Sequence, residues 1–309
     1  MNSLIEQAAQ RLEQLRQAGV AIPSAVESPR LNGVTKTVLG SVGAVEPTRP
    51  APEPVVSSRR VELDLDALAA AGIVTPNAPR SQTADQFRVI KRPLIGNAMG
   101  KGASTPARAN LIMVTSALAG EGKTFTSINL AMSLAAEMDH TVMLVDADVA
   151  RPSVPRVLGF PEGPGLLDLL DESVDMASVL LKTNIDKLTI LPSGTPHARA
   201  TELLASDAMR HLLEDMASRY SDRIIIFDSP PLLLTTESRA LAANMGQIVM
   251  VIQAGRTLQA DVRNALATIH ACPIKLLVLN QARADTQGAY GYGYGYGHGY
   301  GYGRAKHEA

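Results

Sequence analysis

The chain has 309 residues, with 29 Lys and Arg against 30 Asp and Glu for a formal net charge of −1, and 46 % of it is hydrophobic. That length accommodates one α/β domain of roughly 200 residues with a full core plus additional segments, and a near-neutral balance gives no electrostatic basis for nucleic acid as the main partner. The lone Cys272 excludes an internal disulfide, the histidines are scattered without metal-ligand spacing, and no apolar run reaches 18 residues, so a cytoplasmic protein is expected.

Taken in order, residues 1–19 predict an amphipathic helix. Leu4, Ile5, Ala8, Leu12 and Leu15 share one face, Ser3 and Glu6 make a capping box, and Gly19 sits where a helix-ending residue belongs. Its apolar stripe needs a partner, a membrane surface or its own domain to cover it. Residues 20–57 lose periodicity and gather Pro23, Pro29, Pro47, Pro50, Pro52 and Pro54, the composition of a linker. Residues 58–100 read as a leader segment. Val61 to Leu65 lead into a short helix over Asp66 to Ala71, closed by Gly72 and Pro76. A second helix is expected, capped by Thr83, carrying Asp85, Phe87, Arg88, Ile90, Lys91 and Arg92 and stopping before Pro93.

Residues 101–284 carry the chemistry. An apolar run, Leu111 to Val114, leads into Ser116-Ala117-Leu118-Ala119-Gly120-Glu121-Gly122-Lys123-Thr124 and then a helical stretch from Phe125 to Met138. A strand, a Gly-rich turn ending in Gly-Lys-Thr and a helix make a P-loop: backbone N–H groups from Ala119 to Phe125 face phosphate oxygens, Lys123 reaches the β/γ oxygens and Thr124 holds Mg²⁺. A side chain at Gly120 or Gly122 would hold the backbone off the phosphates or demand a positive φ. Ala117 stands where the strict pattern has Gly.

Two further apolar runs end in acids: Thr141 to Val145 in Asp146-Ala147-Asp148, and Ile224 to Phe227 in Asp228-Ser229-Pro230-Pro231. Strands buried on both faces of a parallel sheet read as continuous apolar runs, and ligands bind beyond their carboxyl ends. A helical segment begins at Ser153 and continues through Gly165 to Leu170, and Leu188 to Leu191 is a strand. A helix over Thr201 to Arg219 follows, then strands at Ile248 to Ile252 and Lys275 to Leu279, separated by a helix from Leu258 to His270. The fold class is therefore α/β, a doubly wound, mostly parallel sheet flanked by helices. Residues 285–309 form a tail in which Tyr290, Tyr292, Tyr294, Tyr296, Tyr300 and Tyr302 alternate with glycine, a composition that cannot pack a core and reads as an accessible peptide.

The P-loop, the Asp146 to Pro152 segment, the Ile226 to Pro231 segment and the tyrosine-rich tail together resemble the bacterial tyrosine kinases of exopolysaccharide synthesis, from about Asp85 to the C-terminus. The wider MinD/ParA group of ATPases shares the fold but carries a signature lysine five residues before the P-loop lysine, where this chain has Leu118. The Phe87 to Leu94 run is most similar to autokinases of exopolysaccharide loci that accompany exosortase systems. The resemblance implies ATP and Mg²⁺ as cofactors, Asp146 as acceptor of the tyrosine proton, and Asp148, Asp228 and Thr124 as the metal's ligands. Asn280, at the end of the last strand, is the candidate for reading adenine.

The same resemblance implies a ring-like homo-oligomer joined through Asp85, Arg88 and Lys91, which stand in an acidic–x–x–Arg–x–x–Arg pattern with lysine at its third place. It also implies a membrane chain-length-determinant protein as activator, which would hold the chain peripherally at the inner membrane, and a protein-tyrosine phosphatase that resets the tail. The alternatives from other classes are a MinD/ParA-like positioning ATPase and a nucleotide-gated regulatory subunit of a polysaccharide export complex.

Overall fold

The computed structural model describes residues 59–76, 80–100, 106–219 and 222–282. The expected N-terminal helix, the linker and the tail tyrosines Tyr290 to Tyr302 lie outside these residues.

The chain enters through β1 (Arg60–Val61), α1 (Leu65–Ala70) and α2 (Gln82–Ala98). The nucleotide-fold pattern follows as β2 (Leu111–Ser116), α3 (Lys123–Ala135), β3 (Thr141–Asp146), α4 (Val154–Leu158), α5 (Leu166–Leu170), α6 (Met176–Val179), β4 (Leu181–Thr183) and β5 (Leu188–Leu191). It closes with α7 (Ala200–Leu204), α8 (Asp207–Arg219), β6 (Arg223–Asp228), α9 (Glu237–Ala242), β7 (Gln247–Gln253), α10 (Gln259–Thr268) and β8 (Ile274–Asn280). The strands form one sheet in the order β1-β4-β5-β3-β6-β2-β7-β8, parallel throughout save for the β4–β5 pair.

Continuous apolar runs become central strands because both sheet faces are covered. Every residue of β2 is buried. On one face α1, α2 and α3 pack over Ile112, Val114, Leu144, Ile226 and Val249; on the other α5 and α7 to α10 cover Met113, Val145, Ile225, Phe227 and Ile248. β8 is the last strand of the sheet and only half covered, so its residues alternate, with Leu277 and Leu279 exposed. Cys272 is buried, and burial pushes its thiol pKa up.

Three sequence expectations change. The helix predicted to stop before Pro93 runs on to Ala98 and is capped by Ser81, whose side chain accepts the Ala84 N–H, in place of Thr83. Pro93 cannot donate to the carbonyl of Val89, but Val89 is 74 % exposed, so water can satisfy that carbonyl, and fully buried Leu94 anchors the continuation. The helix predicted over Thr201 to Arg219 is broken at Ser206, whose hydroxyl donates to the Leu203 carbonyl at 2.7 Å and accepts the Met209 N–H, ending α7 and starting α8. Likewise the segment from Ser153 to Leu170 divides into α4 and α5, because Gly159 ends α4 in a left-handed conformation at φ +78°. The short β4 escaped the sequence reading: three residues carry too little pattern, and only their pairing with β5 and β1 makes them a strand.

Candidate active site

The site is built at the carboxyl ends of three adjacent strands, β3, β6 and β2, where the parallel ladder brings Asp146 and Asp228 opposite one another in register. Between β2 and α3 the P-loop turns through Gly120 at φ +84° and Gly122 at φ +95°. Both values lie where a side chain is strained, and a Cβ on Gly122 would stand 2.0 Å from the Asn280 amide nitrogen. Gly122 occupies the cap position of α3 with no side-chain cap, so the first N–H groups of the helix face the site.

Charge is concentrated behind this loop. Asp228 is fully buried; its Oδ2 accepts the Thr124 hydroxyl at 2.7 Å and its Oδ1 the Ser127 hydroxyl at 3.0 Å. Desolvation pushes its carboxyl up to about 6, against the hydrogen bonds from Thr124 and Ser127 and the Lys123 charge. Asp146 is also fully buried, with Oδ1 accepting the Asp148 N–H at 3.2 Å and Oδ2 accepting Ser153 N–H at 3.1 Å and Val154 N–H at 3.0 Å. Desolvation first, and the Asp228 charge second, push it up to about 7. Asp148 pairs with the Lys123 ammonium at 2.9 Å, both side chains being largely buried. The Thr124 and Ser153 hydroxyls meet at 3.0 Å.

Two buried carboxylates on paired strand residues, a third held by the P-loop lysine and a threonine hydroxyl on Asp228 are all hard oxygen donors. That fits Mg²⁺, which is bound by one or two carboxylates together with water and phosphate oxygens. Among the described residues no group of three or more His, Cys, Asp or Glu side chains could hold a metal ion by itself, so phosphate and water oxygens would have to complete the shell of a Mg²⁺ ion.

A family model described as an AAA domain matches residues 109–274. The chain is 29 % identical over 221 residues to the tyrosine-protein kinase YwqD of Bacillus subtilis, an alignment covering 71 % of this chain and 90 % of that protein. It is 31 % identical over 187 residues to the tyrosine-protein kinase CpsD of Streptococcus agalactiae, covering 59 % of this chain and 80 % of that one. The chain belongs to the bacterial tyrosine-protein kinases. Some relatives are much longer: the match spans 27 % of the succinoglycan biosynthesis transport protein ExoP of Rhizobium meliloti, at 30 % identity over 70 % of this chain. Among solved structures the VpsO kinase domain superposes with a TM-score of 0.55 at 28 % identity, over 65 % of this chain and 96 % of that one.

The remaining predicted residues of the kinase fall into distinct places. Ala119 and Gly120 are exposed on the loop. Phe125 contributes only its backbone to the loop's end, since its ring faces Phe87 of α2 with centroids 6.4 Å apart. Asn280 lies against the P-loop: its Nδ2 donates to the Glu121 carbonyl at 2.9 Å. On α2, Asp85 and Arg88 form an exposed ion pair with each other.

The oligomer stripe needs a correction at Lys91. This residue is 4 % exposed, with Nζ 2.7 Å from Glu137 and donating to the Ser133 carbonyl at 2.5 Å. It ties α2 to the end of α3 inside the same chain, and the pair holds the Glu137 carboxyl below its ordinary range. Three-residue spacing drifts around a helix, so the third member of the pattern turns into the core while the first two stay outside. The sequence reading also missed Ser127 and Ser153 as partners of the acids, and the side chain of Glu121. Ser127 stands one helical turn after Thr124, which is a usable signal; Ser153 and Glu121 act through loops whose approach no spacing encodes.

Proposed function

We propose that this kinase transfers the γ-phosphate of ATP to the tyrosines of its own C-terminal tail, in trans within a homo-oligomer, and thereby regulates exopolysaccharide synthesis, export and chain length. The observation that carries the reading is the convergence of Lys123, Thr124, Asp146, Asp148 and Asp228 at one end of the sheet, where β8, the last strand before the tail in sequence, also finishes. β8 finishes at Asn280, which touches the P-loop, and Gln281 follows it. Tyr290, the first tail tyrosine, comes nine positions later.

Thr124, Asp148 and Asp228 would hold Mg²⁺, which when bound neutralises phosphate charge and so stabilises the loose transition state of phosphoryl transfer. Lys123, which pairs with Asp148, would exchange that carboxylate for phosphate oxygens, freeing Asp148 for the metal. The backbone from Ala119 to Phe125 cradles the phosphates and Asn280 stands on the base side of the loop. Asp146 accepts the tyrosine O–H proton as the phenolate oxygen bonds to the γ-phosphorus and the bond to the bridging oxygen breaks, releasing ADP. Its position near neutrality suits removal of a proton from a hydroxyl whose pKa is about 10. Asp146 accepts one backbone N–H on Oδ1 and two on Oδ2, so of the roughly four acceptor directions of a carboxylate one on Oδ1 remains for the proton.

Asp85 and Arg88 remain as the exposed part of the subunit contact. The activator is a membrane chain-length-determinant protein, which places the chain at the inner membrane's cytoplasmic face, and a phosphatase returns the tail to its unmodified state. No helix among the described residues is long and apolar enough to cross a membrane. The reading is tested by incubating the purified chain with ATP and Mg²⁺ and mapping phosphotyrosine by mass spectrometry, beside a variant with all six tail tyrosines changed to Phe. Phosphate on Tyr290 to Tyr302 in the first and none in the second is expected. An unmodified tail in an ATP-binding, oligomeric protein would overturn it.

A further inference from the structure

Glu121 is buried to 2 % exposure within the loop that receives a polyanion, and none of its hydrogen-bonding partners is a cation. Its Oε2 accepts the Leu118 N–H at 2.7 Å across the turn, and its Oε1 accepts the hydroxyl of Thr257, on the loop between β7 and α10. The Thr257 hydroxyl oxygen in turn accepts the Gln253 N–H at 3.0 Å, at the end of β7. The Glu121 carbonyl is taken by the Asn280 amide at the end of β8. One residue therefore closes the turn from inside with one oxygen and fastens it to the neighbouring strand with the other.

An uncompensated buried carboxylate is costly, and beside incoming phosphates its charge is also unfavourable. A carboxylate nevertheless has one property the site uses: two acceptor oxygens a fixed distance apart, able to receive a backbone N–H and a hydroxyl at once through charge-assisted bonds about twice as strong as neutral ones. Its side chain is turned toward the Thr257 loop while its backbone belongs to the phosphate cradle.

We propose that Glu121 is a positioning residue, which holds the Leu118–Gly122 turn in its phosphate-receiving shape through a hydrogen-bonded strut to Thr257. Without the strut the loop samples other shapes, and ATP must first select the competent one, which lowers apparent affinity by the fraction populated. The proposal rests on the loop being the ATP site, so its test separates the two.

Thr257→Val removes the hydroxyl at nearly constant volume and leaves the phosphate-contacting residues intact, and Thr257→Ser restores it. ATP affinity is measured by calorimetry on the full chain, with KM for ATP, kcat and the melting temperature of the nucleotide-free protein alongside. Thr257→Val should raise Kd and KM for ATP about tenfold, or ~1.4 kcal/mol, with kcat at saturating ATP within about twofold, and Thr257→Ser should return both to within about twofold of the parent. An unchanged Kd in Thr257→Val overturns the strut, whether or not the melting temperature falls, and so does failure of Thr257→Ser to restore affinity. If the parent protein itself binds no ATP, the site assignment fails and the strut with it; if the parent binds and Thr257→Val binds equally, only the strut fails.

Discussion

Asp228→Asn should stabilise the nucleotide-free, metal-free protein while abolishing phosphotransfer, and the size of the effect follows from burial. Asp228 and Asp146 are both fully buried, and their carboxyls are raised from an ordinary 3.8 to about 6 and about 7. A raised carboxyl binds its proton more tightly in the folded than in the unfolded state, so its contribution to stability is intact below about pH 4 and is lost as pH rises through about 6 to 7. A displacement of about 2 units at Asp228 corresponds to ~3 kcal/mol at 1.36 kcal/mol per unit. An amide of the same shape avoids that ionisation, its N–H₂ can donate to the Thr124 hydroxyl oxygen while its Oδ1 still accepts the Ser127 hydroxyl, and Asp146 loses a charged neighbour. The expected gain at pH 8 is on the order of 2–3 kcal/mol, which at about 2–4 °C per kcal/mol for a domain of this size raises the melting temperature by roughly 5–10 °C. At pH 5 both folded parental carboxyls are protonated while an unfolded one at 3.8 is still mostly ionised, so about half of the gain should remain, and it should nearly vanish only near pH 3. Thermal unfolding of both proteins in EDTA at pH 5 and pH 8 measures this directly. A gain equal at both pH values, or no gain at pH 8, would refute the argument that ionised Asp228 is held at the expense of stability.

Lys123→Met should eliminate tail phosphorylation and lower stability by ~3 kcal/mol or more, because it leaves Asp148 buried and unpaired; the double variant Lys123→Met with Asp148→Asn should recover the melting temperature and stay inactive. Lys91→Met should destabilise by a similar amount through loss of the Glu137 pair, whereas Arg88→Ala should leave the melting temperature within about 2 °C and reduce oligomer size by light scattering. Six phosphotyrosines would add on the order of −9 to −12 charge to each tail, so the phosphorylated protein should elute later than the dephosphorylated protein in size-exclusion runs at matched concentration; equal elution volumes would show that the tail does not control assembly.

Much of the site is legible in the sequence because its chemistry is local. Gly120, Gly122, Lys123 and Thr124 act through backbone conformation and a helix start, and an acid closing an apolar run must emerge at the carboxyl end of a buried strand; thus the P-loop, Asp146, Asp148 and Asp228 could be named from order alone. The same locality made the parallel α/β architecture readable, since each central strand is one uninterrupted apolar run. What only the tertiary structure decided depends on approach between distant segments. Three-residue spacing placed Lys91 on a stripe with Asp85 and Arg88, but the packing of α2 on α3 sets Glu137 beneath it and turns it inward. Proline's lost hydrogen bond argued for a helix end at Pro93, and the burial of Leu94 outweighed it. Glu121 and Thr257 are 136 positions apart, and they meet because β2 and β7 are neighbours in a sheet whose strand order no local pattern specifies.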